Sequence, residues 1–192
     1  MIGPLHFFVF AGLFSPGPNV ILLTASGARF GFQRSLPHVF GVAVGVGITA
    51  GLTGFGIGAL LQAAPPLELG LKIIASAWIL YMAYKLWVAQ ASTQSEDRDR
   101  PFTFIEAVLF QWVNPKVWAI AVAATAYTEG APPLNAAFQL ATAFSGINLC
   151  VCLFWSFAGS LLTYLLKTPT AFRIFMRVMA ALLAFSALLV FL

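Results

Sequence analysis

Two short strings in this sequence carry the residue types of a ligand site: Ser15-Pro16-Gly17-Pro18-Asn19 and Asn114-Pro115-Lys116. Each interrupts a long apolar run. Proline has no backbone N–H, and its ring crowds the carbonyl four residues earlier. Pro16 and Pro18 are therefore expected to free the carbonyls of Gly12 and Phe14, and Pro115 that of Gln111. Gly17 is expected to permit a sharp change of direction. Bare carbonyls and the N–H groups of a restarted helix are costly in hydrocarbon, and tolerable only where they face protein, water or a ligand. Matched interruptions in two halves of a chain point to a site at a repeat interface. The plainer alternative is that the prolines only kink packed helices, but the matched depths and adjacent asparagines favour the site.

Lys116 adds chemistry to the second string. A lysine at the centre of a span costs about 2.5–3.5 kcal/mol on insertion scales, and it is too deep to reach the interface easily. No carboxylate shares its depth, since Glu68, Glu106 and Glu129 lie near span ends. Two partners are open to it: the carboxylate of a bound small molecule, or freed carbonyls of the first interrupted span. Gln111, Ser145 and Asn148 are further polar groups at depth, each suited to lining a pore or to bonding a neighbouring helix.

The elements that must position these residues are transmembrane helices. Of 192 residues, 60% are hydrophobic and 8% charged, against roughly 25% charged in a soluble domain. Apolar segments run roughly over 4–27, 38–63, 67–90, 104–128, 134–164 and 171–192, each long enough to cross a core of about 30 Å. In lipid such segments are helices, because a barrel needs short alternating strands. Gly31 and Pro37, Pro65-Pro66, Gly130 with Pro132-Pro133, and Pro169 punctuate the connections. The expected fold is an all-α integral membrane protein of one domain, 1–192, with spans one and four broken. The hydrophilic stretch Ser92–Arg100 divides it into halves of about 1–90 and 104–192, joined by a loop of about 91–103.

Arg29, Arg34, Lys85, Arg98, Arg100, Lys167, Arg173 and Arg177 follow the odd-numbered spans, and Lys72 lies on the other side. This bias places the basic loops in the cytoplasm and both termini outside. Three spans per half then make any internal duplication an inverted repeat. The formal charge of +4 has no basic run with interleaved polar residues, so nucleic acid is not an expected partner.

Span two carries Gly41, Gly45, Gly47, Gly51, Gly54 and Gly58, whose small-xxx-small spacing lets helices approach closely within or between chains. A homo-oligomer is left open on that ground. Cys150 and Cys152 point about 200° apart on a helix, so they neither bridge nor chelate a metal together; they read as small apolar residues. His6 and His38 lie near span ends, unsuited to haem ligation. No cofactor or metal is expected. His38 is weighed as a proton relay, and Glu106 as a second carrier of a coupling proton.

The chain resembles the LysE/RhtB family of amino acid exporters. The resemblance lies in Ser-Pro-Gly-Pro-Asn at 15–19, the Gly-Ala-Arg-Phe-Gly-Phe-Gln-Arg-Ser stretch from Gly27, the glycine-rich second span from Gly41, the Trp78–Trp87 stretch, and Phe104 through Asn114-Pro115-Lys116. Phe-Gln-Trp-Val-Asn at 110–114 is most similar to the branch associated with cysteine and O-acetylserine export. It departs from the pattern at Ala107, where the family often has Gly, and in lacking a proline between Val117 and Ala131.

The resemblance implies a bacterial inner-membrane exporter, not an enzyme, with six spans and proton-driven efflux of small amino acids: cysteine, O-acetylserine, threonine, homoserine or leucine. It directs attention to Pro16, Gly17, Pro18, Asn19, Asn114, Pro115 and Lys116, beside which Gln111 stands as a substrate-site candidate. The expected mechanism is alternating access about a midplane site between spans one and four. Lys116 and broken-helix N–H groups would hold the substrate carboxylate, and Asn19 and Asn114 would position it or bridge the halves. The rival readings are a membrane scaffold without transport and an intramembrane redox protein or enzyme. A redox protein would need cysteines near the broken helices, and a protease a nucleophile with a deep base.

Overall fold

A computed structural model describes residues 3–57, 65–89 and 100–189. Gly58, the far end of the second apolar segment, the polar stretch up to position 99 and residues 190–192 lie outside the described residues. The rest is helical: α1 (Pro4–Phe14), α2 (Pro18–Phe30), α3 (Phe32–Gly54), α4 (Pro65–Trp87), α5 (Phe104–Trp112), α6 (Pro115–Ala124) with a 3-10 turn at Thr125–Thr128, α7 (Pro133–Leu162) and α8 (Pro169–Leu188). Among the described residues, four helices are long and apolar enough to cross a bilayer alone. The pairs α1–α2 and α5–α6 qualify as further spans if each is read as one broken element, bent by 59° and 64°. Large apolar side chains such as Ile74, Phe138 and Phe185 are exposed on the outer faces, as lipid contact requires.

The prolines start helices more than they bend them. Pro4, Pro18, Pro115, Pro133 and Pro169 stand in the first turns of their helices. There the missing N–H has no acceptor to lose and the fixed φ suits the helix. Pro37 corrects the expected connection. It lies inside α3, and the turn is made by Gly31 at φ +83°, a conformation that costs glycine little. Pro37 sits early in α3, so it removes only one hydrogen bond near a frayed end. The helix consequently begins at Phe32, not near His38.

The α5 terminus is fastened by side chains. Glu106 N–H donates to Thr103 Oγ1 (3.2 Å) and Thr103 N–H donates to Glu106 Oε2 (2.8 Å), a reciprocal capping box. Arg100 clamps the same carboxylate through two N–H groups at 2.7 and 2.8 Å. Thr103→Ala is expected to cost about 1 kcal/mol, read as a lowered thermal midpoint in detergent. Arg100→Ala should cost less, because both partners of that ion pair are nearly half exposed and water screens them.

Two apolar clusters build the interior. One joins α2, α4, α5 and α8 through residues such as Ile21, Ile79, Phe110 and Met176. The other joins α1, α2, α3, α5, α6 and α7 around Val9, Val42, Val117 and Phe144. The main helix pairings are α3 with α7, α2 with α7, α3 with α5, and α4 with α8. Glycine sets the closest of these. Gly41 and Gly45 face α5, where an added Cβ would lie 2.4 Å from Phe104 O and 2.7 Å from Gln111 Cγ. Gly47, Gly51 and Gly54 face α7. The glycines of α3 thus serve two neighbours, so this helix is held close on both sides.

Candidate functional site

The break in the first span is an extended link, Ser15–Gly17, between α1 and α2. The expected change of direction is present, since α1 and α2 meet at 59° across the link, but Gly17 has φ −178° and ψ −178°, an extended backbone open to any residue, so its φ is not what calls for glycine. Space is the reason. A Cβ on Gly17 would sit 2.7 Å from Lys116 Cδ and 2.9 Å from Lys116 Nζ. The lysine stem lies across the bare glycine, and its ammonium reaches the link.

There Lys116 Nζ donates to the backbone oxygen of Ser15, to Ser15 Oγ at 2.8 Å and to Pro16 O at 3.2 Å. Of the two partners open to Lys116, carbonyls of the first broken span are the ones engaged in this state. They are not the carbonyls expected from the proline rule. Lys116 takes Ser15 O and Pro16 O of the link, while Gly17 O accepts from Ile21 N–H at 3.0 Å. Gly12 O instead accepts from Ser15 Oγ at 2.8 Å, and Gln111 O from Asn114 N–H at 3.3 Å. Beyond the second break, Trp118 Nε1 donates to Trp112 O at 3.0 Å, satisfying another carbonyl near the end of α5.

An amide cluster ties the two breaks together. Asn19 Nδ2 donates to Gln111 Oε1 (2.8 Å) and Gln111 Nε2 donates back to Asn19 Oδ1 (3.2 Å). Gln111 also donates to Ala107 O at 2.9 Å and accepts from Asn114 Nδ2 at 3.3 Å. The bridge between broken spans is therefore Asn19–Gln111, with Asn114 attached through Gln111. Gln111 is fully buried, so removing its partner leaves a costly polar group. A double-mutant cycle of Asn19→Ala and Gln111→Leu is expected to give a coupling of about 1–2 kcal/mol in thermal stability.

Beside this cluster lies a small, partly open pocket. Gly17, Asn19, Val20 and Leu23 line it from the first break and α2; Asn114, Lys116 and Val117 from the second break and α6. Leu13 closes one side, and Asn148, Val151, Cys152 and Trp155 form the wall contributed by α7. The helices restarting at Pro18 and Pro115 have no side-chain cap. Both N-termini, with their partial positive charge, therefore border the same pocket as Lys116. Such an arrangement can receive an anionic group.

Pro16 and Pro115 flank the pocket through the links they shape, and Pro18 opens α2 beside it. His38 and Glu106 are elsewhere. His38 is buried in α3 with neither ring nitrogen hydrogen-bonded, its ring 5.0 Å from that of Phe102. Glu106 is engaged by Arg100 and Thr103. Trp155 and Cys152 are lining residues that sequence reasoning missed. The signal available was spacing: Asn148, Cys152 and Trp155 fall at i, i+4 and i+7 on one face of α7.

The sequence model of the LysE type translocator family matches residues 10–192. The chain belongs to the LysE-type translocator family. Membership, together with its several long apolar helices, makes it a multi-pass membrane protein set in the lipid bilayer. Two relatives of this LysE-type translocator carry the description uncharacterized membrane protein. One, from Pseudomonas aeruginosa, is 31% identical over 110 residues, covering 53% of this chain and 51% of the relative. The other, from Vibrio cholerae, is 27% identical over 118 residues, covering 58% of each. The matched region thus spans just over half the length of these curated relatives. No solved structure matches the translocator.

Proposed function

We propose that this translocator is a bacterial inner-membrane exporter of small amino acids or their derivatives, working by alternating access. One observation carries the reading: Lys116 and two uncapped helix N-termini converge on one pocket at the breaks of two spans. A substrate carboxylate is the natural ligand for that set. It would accept from Lys116 more strongly than the neutral carbonyls of Ser15 and Pro16 do, because both partners are then charged. Its arrival would draw the ammonium off the link and release the first break from the second. Binding and opening would thereby be one event, with Asn19 and Gln111 keeping the breaks in register.

The two halves, about 1–90 and 104–192, are read as inverted repeats with both termini in the periplasm. The pairing of α3 with α7 and of α4 with α8 supports this, since these are the corresponding spans of each half. The proton gradient is the proposed drive, with His38 and Glu106 as the candidate carriers. Of these His38 is the better placed, since its nitrogens have no competing partner.

Efflux of labelled amino acids from vesicles, with and without a proton uncoupler, tests the reading. Selective efflux that stops with uncoupler supports it. If inserted protein moves no amino acid or derivative, the exporter reading is wrong and a scaffold takes its place.

A further inference from the structure

The α7 side of the pocket holds polar atoms that neither the amide cluster nor the carboxylate site uses. Asn148 is 2% exposed and its Nδ2 has no hydrogen-bond partner. Trp155 Nε1, one face-repeat further along α7, is buried and equally unpartnered. Both residues line the pocket that Lys116 lines. Across from them, Asn114 is 1% exposed and its Oδ1 lacks a donor. Buried polar groups are nearly always hydrogen-bonded, and an orphaned one asks for an explanation. One ligand seated in this pocket could satisfy all three.

The roles follow from donor and acceptor chemistry. Lys116 and the starts of α2 and α6 supply positive charge, suited to a carboxylate. Asn114 Oδ1 is an acceptor, suited to the ammonium of the same molecule. Asn148 Nδ2 and Trp155 Nε1 are donors, and a donor needs an acceptor. Cys152, between them on the same face, is fully buried and presents a small apolar surface. Among the described residues no Asp or Glu lines the pocket, so a second cation on the ligand would meet no counter-ion there and would pay its desolvation unaided.

We propose that the face of α7 bearing Asn148, Cys152 and Trp155 is the specificity wall of this translocator. It selects zwitterionic amino acids whose short, uncharged side chain carries a hydrogen-bond acceptor. Asn148 and Trp155 donate to that acceptor, and Cys152 limits the length of the chain that bears it. The inference rests on the amino acid export reading and adds to it the part of the pocket that reads the side chain. A site built around donors rejects an analogue without the acceptor, because its own groups are then buried unpaired.

The test is transport into proteoliposomes of labelled serine, alanine and lysine by the parental protein, Asn148→Leu and Trp155→Phe. The parental protein is expected to prefer serine to alanine by about ten- to a hundredfold in kcat/KM and to leave lysine at background. Asn148→Leu is expected to bring the serine-to-alanine ratio near one while alanine transport persists. Trp155→Phe keeps an aromatic ring while removing the donor and trimming the fused five-membered ring, so it is expected to shift the ratio the same way with normal folding. A merely structural residue would lower both substrates together. An unchanged ratio in Trp155→Phe, or lysine moved as well as serine, overturns the specificity wall and leaves the exporter standing. Inserted parental protein that moves none of the three overturns the wall. If it also fails across the wider panel of amino acids and derivatives, the export reading falls with it.

Discussion

Lys116→Met is expected to reduce export to the level of empty vesicles while the protein still inserts. Methionine keeps an unbranched stem of similar reach, so the groove over Gly17 stays filled, but the charge is gone. The ammonium makes three hydrogen bonds to the first break in the present state. In the proposed cycle it passes to the substrate carboxylate. Hydrogen bonds to charged groups are worth roughly 1.5–3 kcal/mol each, so losing even one in the loaded state slows export about tenfold to a hundredfold. Losing all of them removes the attraction that recruits the substrate. Insertion should not suffer, because a lysine at span centre opposes it by about 2.5–3.5 kcal/mol and methionine does not. Efflux measured beside quantified membrane protein decides the matter. Parental efflux from a fully inserted Lys116→Met protein would show that the ammonium is a structural strut and that the carboxylate binds elsewhere.

Gly27→Ala is expected to have the largest effect on folding. A Cβ there would lie 2.0 Å from Ser156 O and 3.0 Å from Ser160 N. The contact is reciprocal, since a Cβ on Gly159 would lie 2.2 Å from Thr24 O. Here backbone meets backbone, so no side chain can swing aside and α2 must separate from α7. Overpacking usually costs about 1–3 kcal/mol and sometimes more; a clash with main chain belongs at or above the top of that range. The thermal midpoint in detergent should fall by many degrees. Gly146→Ala is the control: its Cβ would meet nothing within 4 Å, and alanine favours a helix interior by up to about 1 kcal/mol. Equal midpoints for the two variants would mean that α2 and α7 are not in backbone contact.

The features legible in the sequence were those whose cost in lipid shows in residue type alone. Proline within an apolar run, asparagine beside it and a lysine without a carboxylate at its depth each violate the span pattern, so both breaks and Lys116 stood out. Where a residue's meaning depends on what faces it, the sequence was silent. The proline rule freed Gly12 O, which a side chain, Ser15 Oγ, then satisfies, but it did not show that Lys116 would engage Ser15 O and Pro16 O of the link. Gly17 was expected to permit a change of direction, and the 59° bend is there, but the room it leaves for the Lys116 stem was not legible. Gln111 was a candidate from polarity, yet its partner Asn19 stands 92 positions away, and no local pattern joins them. Cys152 and Trp155 are ordinary span residues by composition. Their place at the pocket follows from the rotation of α7, which its glycine contacts with α2 and α3 set.

The distance along the chain between Lys116 and its acceptors bears on how the protein is made. Ser15 lies 101 residues before the lysine and Pro16 lies 100 before it. At a synthesis rate of about 5–20 residues per second, the link waits about 5–20 s for the ammonium that satisfies it. Its flanking helices, of 11 and 13 residues, are each about 16–20 Å long, shorter than a hydrocarbon core of about 30 Å. For that interval neither piece spans the bilayer alone, and the carbonyls between them need water or the insertion machinery. The broken span formed by α1 and α2 thus becomes a settled span only after the second broken span, α5 with α6, arrives.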